Sequence, residues 1–226
     1  MVTVEVPARP SSDHTRPARV DRVSDLREVL AELRAGTLSV LGIDMPMGLP
    51  EAGVRASDAA LRRFLRHRHS SVFSTPPRSV LSASTYPEAL AVARSVDGRG
   101  LSKQTFHLLP KIREVDALID ASVQPAVIEV HPESSFAAMA GAPLDSRKKE
   151  AAGRLERRTL LGQHFAGLAP TAVPARGRTR HDDVDDDVLD AYAAAWTARR
   201  VVRGEATIVG DPDARDGRGL RMIVAI

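Results

Sequence analysis

Residues 38–43, Leu-Ser-Val-Leu-Gly-Ile, are apolar almost throughout and stop at Asp44. A run of this kind reads as a strand buried on both faces, which needs helices to cover it. Met45-Pro46-Met47-Gly48-Leu49-Pro50 follows, and two prolines and a glycine make a rigid, irregular loop. The strand therefore delivers a carboxylate to its C-terminal end. In open α/β sheets that end is where ligands bind. A turn aspartate that caps the following backbone is the plainer alternative for Asp44.

Ala126–Val130 reads as a second central strand, with Glu129 near its end and His131-Pro132-Glu133 breaking it. Around this pair, helices are expected over 24–36, 55–68, 87–96, 102–121 (bent at Pro110), 134–140, 145–165 and 182–202. Ser24 is the expected cap of the first helix and Gly36 its stop. Short strands are expected over 2–7 and 18–23, with a terminal pair at 207–210 and 220–226. Loops are expected over 8–18 and 166–181. Helices alternating with apolar strands place the chain in the α/β class. Its 226 residues fit one domain, with 51–122 as a helical insertion between two central strands.

Composition removes several chemistries. Without cysteine, disulfide frameworks, cysteine zinc sites and thiol nucleophiles are excluded. No apolar run approaches a membrane span and no signal-peptide core is present, so the cytoplasm is the expected location. Neither a phosphate-binding Gly-x-x-x-x-Gly-Lys loop nor a Gly-x-Ser-x-Gly elbow occurs. Thirty-two basic against 29 acidic residues permit a nucleic-acid partner without demanding one. Aromatic residues are only 4%, which is poor material for base stacking. Only four basic residues are lysines, and all lie between Lys103 and Lys149.

Three acidic groups can carry chemistry. Asp44 is the first. In Glu129-Val130-His131-Pro132-Glu133, strand alternation puts Glu129 and His131 on one face, and Glu133 starts a helix, where negative charge is favoured. In His181–Asp190, six aspartates fall within nine residues. Asp183, Asp187 and Asp190 share one helix face. Asp190 lies too far along the helix to serve its dipole, and it precedes Ala191–Trp196, a small-residue stretch suited to packing on a sheet. Two carboxylates from strand ends and one or two from a facing helix can hold a magnesium or manganese pair. A polar strand end with a helix-start acid is the alternative for Glu129–Glu133, and a solvated acidic helix start for Asp182–Asp190, which accounts for Asp182–Asp185 but poorly for Asp190. Ser70, Ser71 and Ser74, and the bases Lys111, Arg113, Lys148, Lys149, Arg154, Arg157 and Arg158, are candidate phosphate contacts. A solvated charged helix face accounts for the latter equally well.

Together these stretches resemble the domain of unknown function 429 family, whose members are described as predicted RNase H-like nucleases. The resemblance rests on Gly42–Pro50; Arg55 with Asp58; Ser71-Val72-Phe73 through Arg78; Gly100–Gln104; Lys111–Asp116; Glu129–Glu133 with Phe136; Ser146–Lys149; and Asp186–Ala191. It spans roughly residues 20–226 in the family's order. It implies an RNase H-like mixed sheet flanked by helices and a metal-dependent nuclease. Asp44, Glu129, Asp187 and Asp190 would bind Mg2+ or Mn2+. Glu133 or His131 would orient water or carry a proton. Arg55, Ser71, Lys111, Lys148 and Lys149 would hold substrate phosphates.

One departure stands out. The superfamily's opening strand ends in Asp, and no such segment occurs here. Val2–Val6 looks like the second strand of the opening meander and Ala18–Val23 like the third. A start assigned too late, or loss of the first-strand acid, is the expectation. Two rival functions follow: a catalytically impaired protein that binds nucleic acid or another partner, and a metal-dependent enzyme on a small phosphorylated molecule.

Overall fold

The computed structural model describes residues 2–7, 19–23, 25–165, 168 and 180–226. The expected loops over 8–18 and 166–181, apart from Leu168 and the last two positions, fall outside these residues. So do Ser24 as a cap and the side chains of Asp182, Asp183 and Asp185.

The chain is mixed α/β, with short two-stranded ladders and seven α-helices among the described residues. Strand β1 (Val2–Glu5) pairs antiparallel with β2 (Arg19–Arg22). Helix α1 (Leu26–Arg34) is capped by Asp25, whose carboxylate accepts from the Arg27 N–H. Its buried Leu26, Val29 and Leu30 recur at helical spacing. Strand β3 is shorter than its apolar run, Leu41–Ile43, because the chain turns at Thr37–Leu38 to close α1. Helices α2 (Ala56–Leu65), α3 (Tyr86–Asp97) and α4 (Lys103–Leu118) separate β3 from β4 (Val127–Glu129). Thr85 and Glu88 form a reciprocal capping box on α3. Helix α4 runs through Pro110 without ending.

After β4 come α5 (Pro132–Ala140) and α6 (Ala151–Gly162). Helix α6 covers only 151–162 of the expected 145–165. Helix α7 (Arg180–Val202) and strands β5 (Ile208–Val209) and β6 (Val224–Ala225) complete the chain. No helix among the described residues is long and apolar enough to cross a membrane.

Strands β3 and β4 pair in parallel, Leu41 opposite Val127 and Ile43 opposite Glu129. Register therefore sets Asp44 and Val130 side by side just past the ladder. Val130 also bridges Ala225, so β6 continues this edge and carries β5 antiparallel to itself. Leu26, Leu30, Val115 and Ile119 of the α1–α4 side pack with Ile43, Met47 and Val127. Helix α7 crosses the strands at Gly42. A Cβ there would stand 2.8 Å from the Ala194 carbonyl oxygen, so only glycine lets helix and strand come this close. Asp190 lies one turn before Ala194, and Asp44 lies two residues beyond Gly42. That single approach brings them together.

Candidate carboxylate site

The Asp44–Pro50 loop builds the floor of the site. Gly48 takes φ +73°, and a Cβ there would strike the Arg221 carbonyl, so the turn is set by glycine. A cleft opens over this loop, lined by Asp44, Pro46, Val72, Phe73, Glu129 and His131, among others.

Asp44 keeps contact with water, although protein closes around it on most sides. Burial first, and then the charge of Asp190, push its carboxyl up to about 7. Lys148 and Lys111 pull the other way. Lys148 Nζ donates to Asp190 Oδ2 at 2.9 Å and is held protonated by Asp190 and Asp44. Asp190 is also raised, by burial and by the charges of Glu133 and Asp187, while Lys148 lowers it. The strand-end acid and the helix acid thus share one lysine. Lys111 is exposed and acts on Asp44 through its field alone. Lys149 and Asp187 are exposed at the margin.

Glu129 stands in a different setting. Its oxygens receive Arg55 Nη1 and Nη2 at 2.7 and 2.6 Å, and the Met47 N–H at 2.8 Å. Arg55 Nε and Nη2 also donate to Asp58 at 2.9 and 2.6 Å. Asp58 in turn accepts the Thr75 N–H. Burial raises Glu129, but the Arg55 fork opposes that shift. Burial likewise works against the Arg55 charge, yet Glu129 and Asp58 raise its pKa overall, so the guanidinium keeps its charge. The expectation that Arg55 holds phosphate is corrected here. Its guanidinium is 2% exposed and all three nitrogens face protein acceptors.

Glu133 and His131 are likewise engaged. Arg157 Nη2 donates to Glu133 at 2.5 Å, and Arg68 stands 3.5 Å away. Arg157, expected on a solvated face, is 1% exposed and ties α6 to α5. His131 caps α5, its Nδ1 accepting from the Ser134 N–H at 3.3 Å. The Nε2 then carries the proton, facing the Ser71 carbonyl at 3.3 Å. Burial lowers the His131 pKa, so the ring is neutral at pH 7. The Ser71 hydroxyl donates to the Arg68 carbonyl and closes its own turn.

The expected set therefore divides. Asp44, Asp190 and Lys148 converge, and Lys111 and Asp187 act on them through charge; Lys149 follows Lys148 and is exposed. Glu129, Glu133, Arg55, His131 and Ser71 are bound into the scaffold. Among the described residues, no three histidine, aspartate or glutamate side chains form a group that could hold a metal ion. Sequence reasoning assigned no role to Asp58 and missed Asp216. The latter lies in the loop before β6 and is fully buried. It accepts the Leu49, Arg218 and Leu220 N–H groups and pairs with Arg78, fixing the floor loop from behind. Its only signal is an Asp-Gly dipeptide, which also marks ordinary turns.

No curated protein and no solved structure matches the chain. One family model does, described as a protein of unknown function (DUF429), and it matches residues 10–214. With the match spanning nearly the whole sequence, the chain belongs to the DUF429 family.

Proposed function

We propose that the chain is an RNase H-like phosphodiesterase that acts on nucleic acid with Mg2+ or Mn2+ bound between Asp44 and Asp190. The observation that carries this reading is the meeting of Asp44 and Asp190 at the C-terminal end of the parallel β3–β4 pair. A carboxylate pushed to about 7 partly by a second acid gains from a cation that neutralises both. Magnesium binds through one or two carboxylates, with water and substrate phosphate completing its shell. Asp44 and Asp190 fit that pattern. A second ion does not fit, because Glu129 is held by Arg55.

The fold supports the same reading. Helix α7 packs against both β1 and β3, as a last helix spanning an RNase H-like sheet would. The helices between β3 and β4 would then form an insertion.

A bound divalent cation would polarise a phosphoryl oxygen and acidify water. The residues do the rest. Lys148 balances Asp190 and would meet a phosphate bound beside Asp44. Lys111 and Lys149 extend positive charge along the margin. His131 and Glu133 position the walls: the neutral imidazole holds the 66–71 turn, and Glu133 holds α6.

The test pairs a calorimetric Mn2+ titration with cleavage of labelled DNA and RNA. Binding and cleavage are expected in the parent, with both lost in Asp190→Asn. A folded parent that cleaves neither polymer with Mg2+ or Mn2+ overturns the reading. A non-catalytic nucleic-acid binder is then favoured, since Glu129 and Glu133 are already spent on arginines.

A further inference from the structure

The end of α2 and the 3-10 turn that follows it, Arg66–Ser71, run between two residues that line the cleft, Leu61 and Val72, and so flank its rim. This segment reads Arg62-Arg63-Phe64-Leu65-Arg66-His67-Arg68-His69. Leu65 is buried and anchors it. Arg63, Phe64, Arg66, His67 and His69 are exposed. Among the described residues no carboxylate pairs with Arg63, Arg66 or His69, and His67 faces only the exposed Asp145. Basic groups gathered on one turn repel one another, so the patch costs stability unless an anion covers it.

Two contacts tie the turn to the candidate site. His131 Nε2 meets the Ser71 carbonyl, and Arg68 reaches Glu133. Arg62 Nη2 fastens the turn's far end to the Val72 carbonyl and Ser74 hydroxyl. The backbone adds a third sign. Arg66 has φ 48° and ψ −116°, and it is the one non-glycine residue with positive φ among those described. Glycine would adopt this conformation at less cost, so holding arginine there stores strain.

Phe64 is 38% exposed beside Arg63, and Phe73 lines the cleft at the other end of the turn. The chain has only five phenylalanines, so placing two along one basic rim is a specific arrangement. Cationic groups that follow a backbone, with rings at intervals, match an unpaired polynucleotide: phosphates meet the arginines and bases meet the rings.

We propose that the Arg63–His69 rim binds single-stranded nucleic acid and leads it into the cleft. This rests on the reading of the cleft as a phosphodiesterase site, and it names the substrate as unpaired. The experiment uses the full chain in EDTA, so that binding is measured without cleavage. A fluorescein-labelled single strand, a duplex of the same sequence and heparin are compared by anisotropy over a salt series.

The parent is expected to prefer the single strand. Arg63→Gln/Arg66→Gly/His69→Gln should weaken it by about tenfold, with the salt slope falling by about 0.7 for each phosphate the variant no longer neutralises. Arg66→Gly alone should lower affinity while raising Tm, because it removes a charge and relieves strain. A merely structural arginine would not move those two readouts in opposite directions. Unchanged single-strand affinity in the triple variant overturns the proposal, as does equal affinity for duplex or heparin. The two readings fail separately. Binding without Mn2+-dependent cleavage sinks the phosphodiesterase reading and leaves the rim; cleavage with unaltered binding in the variants sinks the rim.

Discussion

Asp44 and Glu129 end two adjacent strands of one parallel pair, yet they live in opposite conditions. Glu129 is closed in by a bidentate arginine, a backbone N–H and a neighbouring acid on the same guanidinium. Asp44 is open to water and faces another acid across a lysine. An arginine fork saturates a carboxylate and fixes its direction; a lysine is a point charge on a flexible stem and can be displaced. A carboxylate at the end of one strand thus serves architecture, and a carboxylate one register step further along the neighbouring strand is left available for chemistry.

Removing each acid puts this contrast to a measurement, and the largest effect is expected at the buried end. Glu129→Ala strips Arg55 of its bidentate partner and leaves a buried guanidinium with Asp58 as its one remaining carboxylate. Breaking a buried pair in this way costs about 3–5 kcal/mol, read by urea denaturation. Asp44→Ala should cost far less. Equal losses would mean that the two acids are the same kind of group and that the contrast is superficial.

Gly42→Ala attacks the approach that creates the open centre. The new methyl would meet the Ala194 carbonyl, which is backbone and cannot swing aside. Overpacking of this kind costs about 1–3 kcal/mol. It should also carry Asp190 away from Asp44, so Mn2+ affinity falls more steeply than stability. A variant as stable as the parent, with unaltered Mn2+ binding, would show that α7 has slack at this contact.

Much of this was legible in the sequence, for definable reasons. The apolar run before Asp44 and the small residues after Asp190 are local signals, and they placed β3 and α7 correctly. Which acids stay available was not legible. It depends on where Arg55 and Arg157 point, and those are decided by packing across the chain. Arg157 looked like one more base on a charged helix; only contact with Glu133 and Phe136 reveals a buried ion pair. The basic run over 62–69 was visible as composition, but its place on the rim depends on the His131–Ser71 contact, sixty residues apart in sequence.

The smallest effect is also the most specific. The Asp44 carboxyl is raised from 3.8 to about 7 in the folded chain. Between those values the folded state holds a proton that the unfolded chain has released. Its contribution to stability is therefore fully present below about pH 4 and is lost as pH rises through 7. Asp44→Asn removes that dependence. The variant should be the more stable protein at about pH 8, and the two should converge towards about pH 4. Burial raises Glu129 and Asp190 and lowers His131 and His164, so other groups slope in both directions, and only the difference between the two proteins reports Asp44. Because water reaches the group, the gap at high pH should be about 1 kcal/mol or less. Added Mn2+ at about pH 8 should then close the gap by stabilising the parent alone, since a ligand that binds only the folded site shifts unfolding by mass action. A gap that persists in saturating Mn2+ would mean that the repulsion between Asp44 and Asp190 is not what a cation relieves, and the open centre would lose its claim to be a metal site.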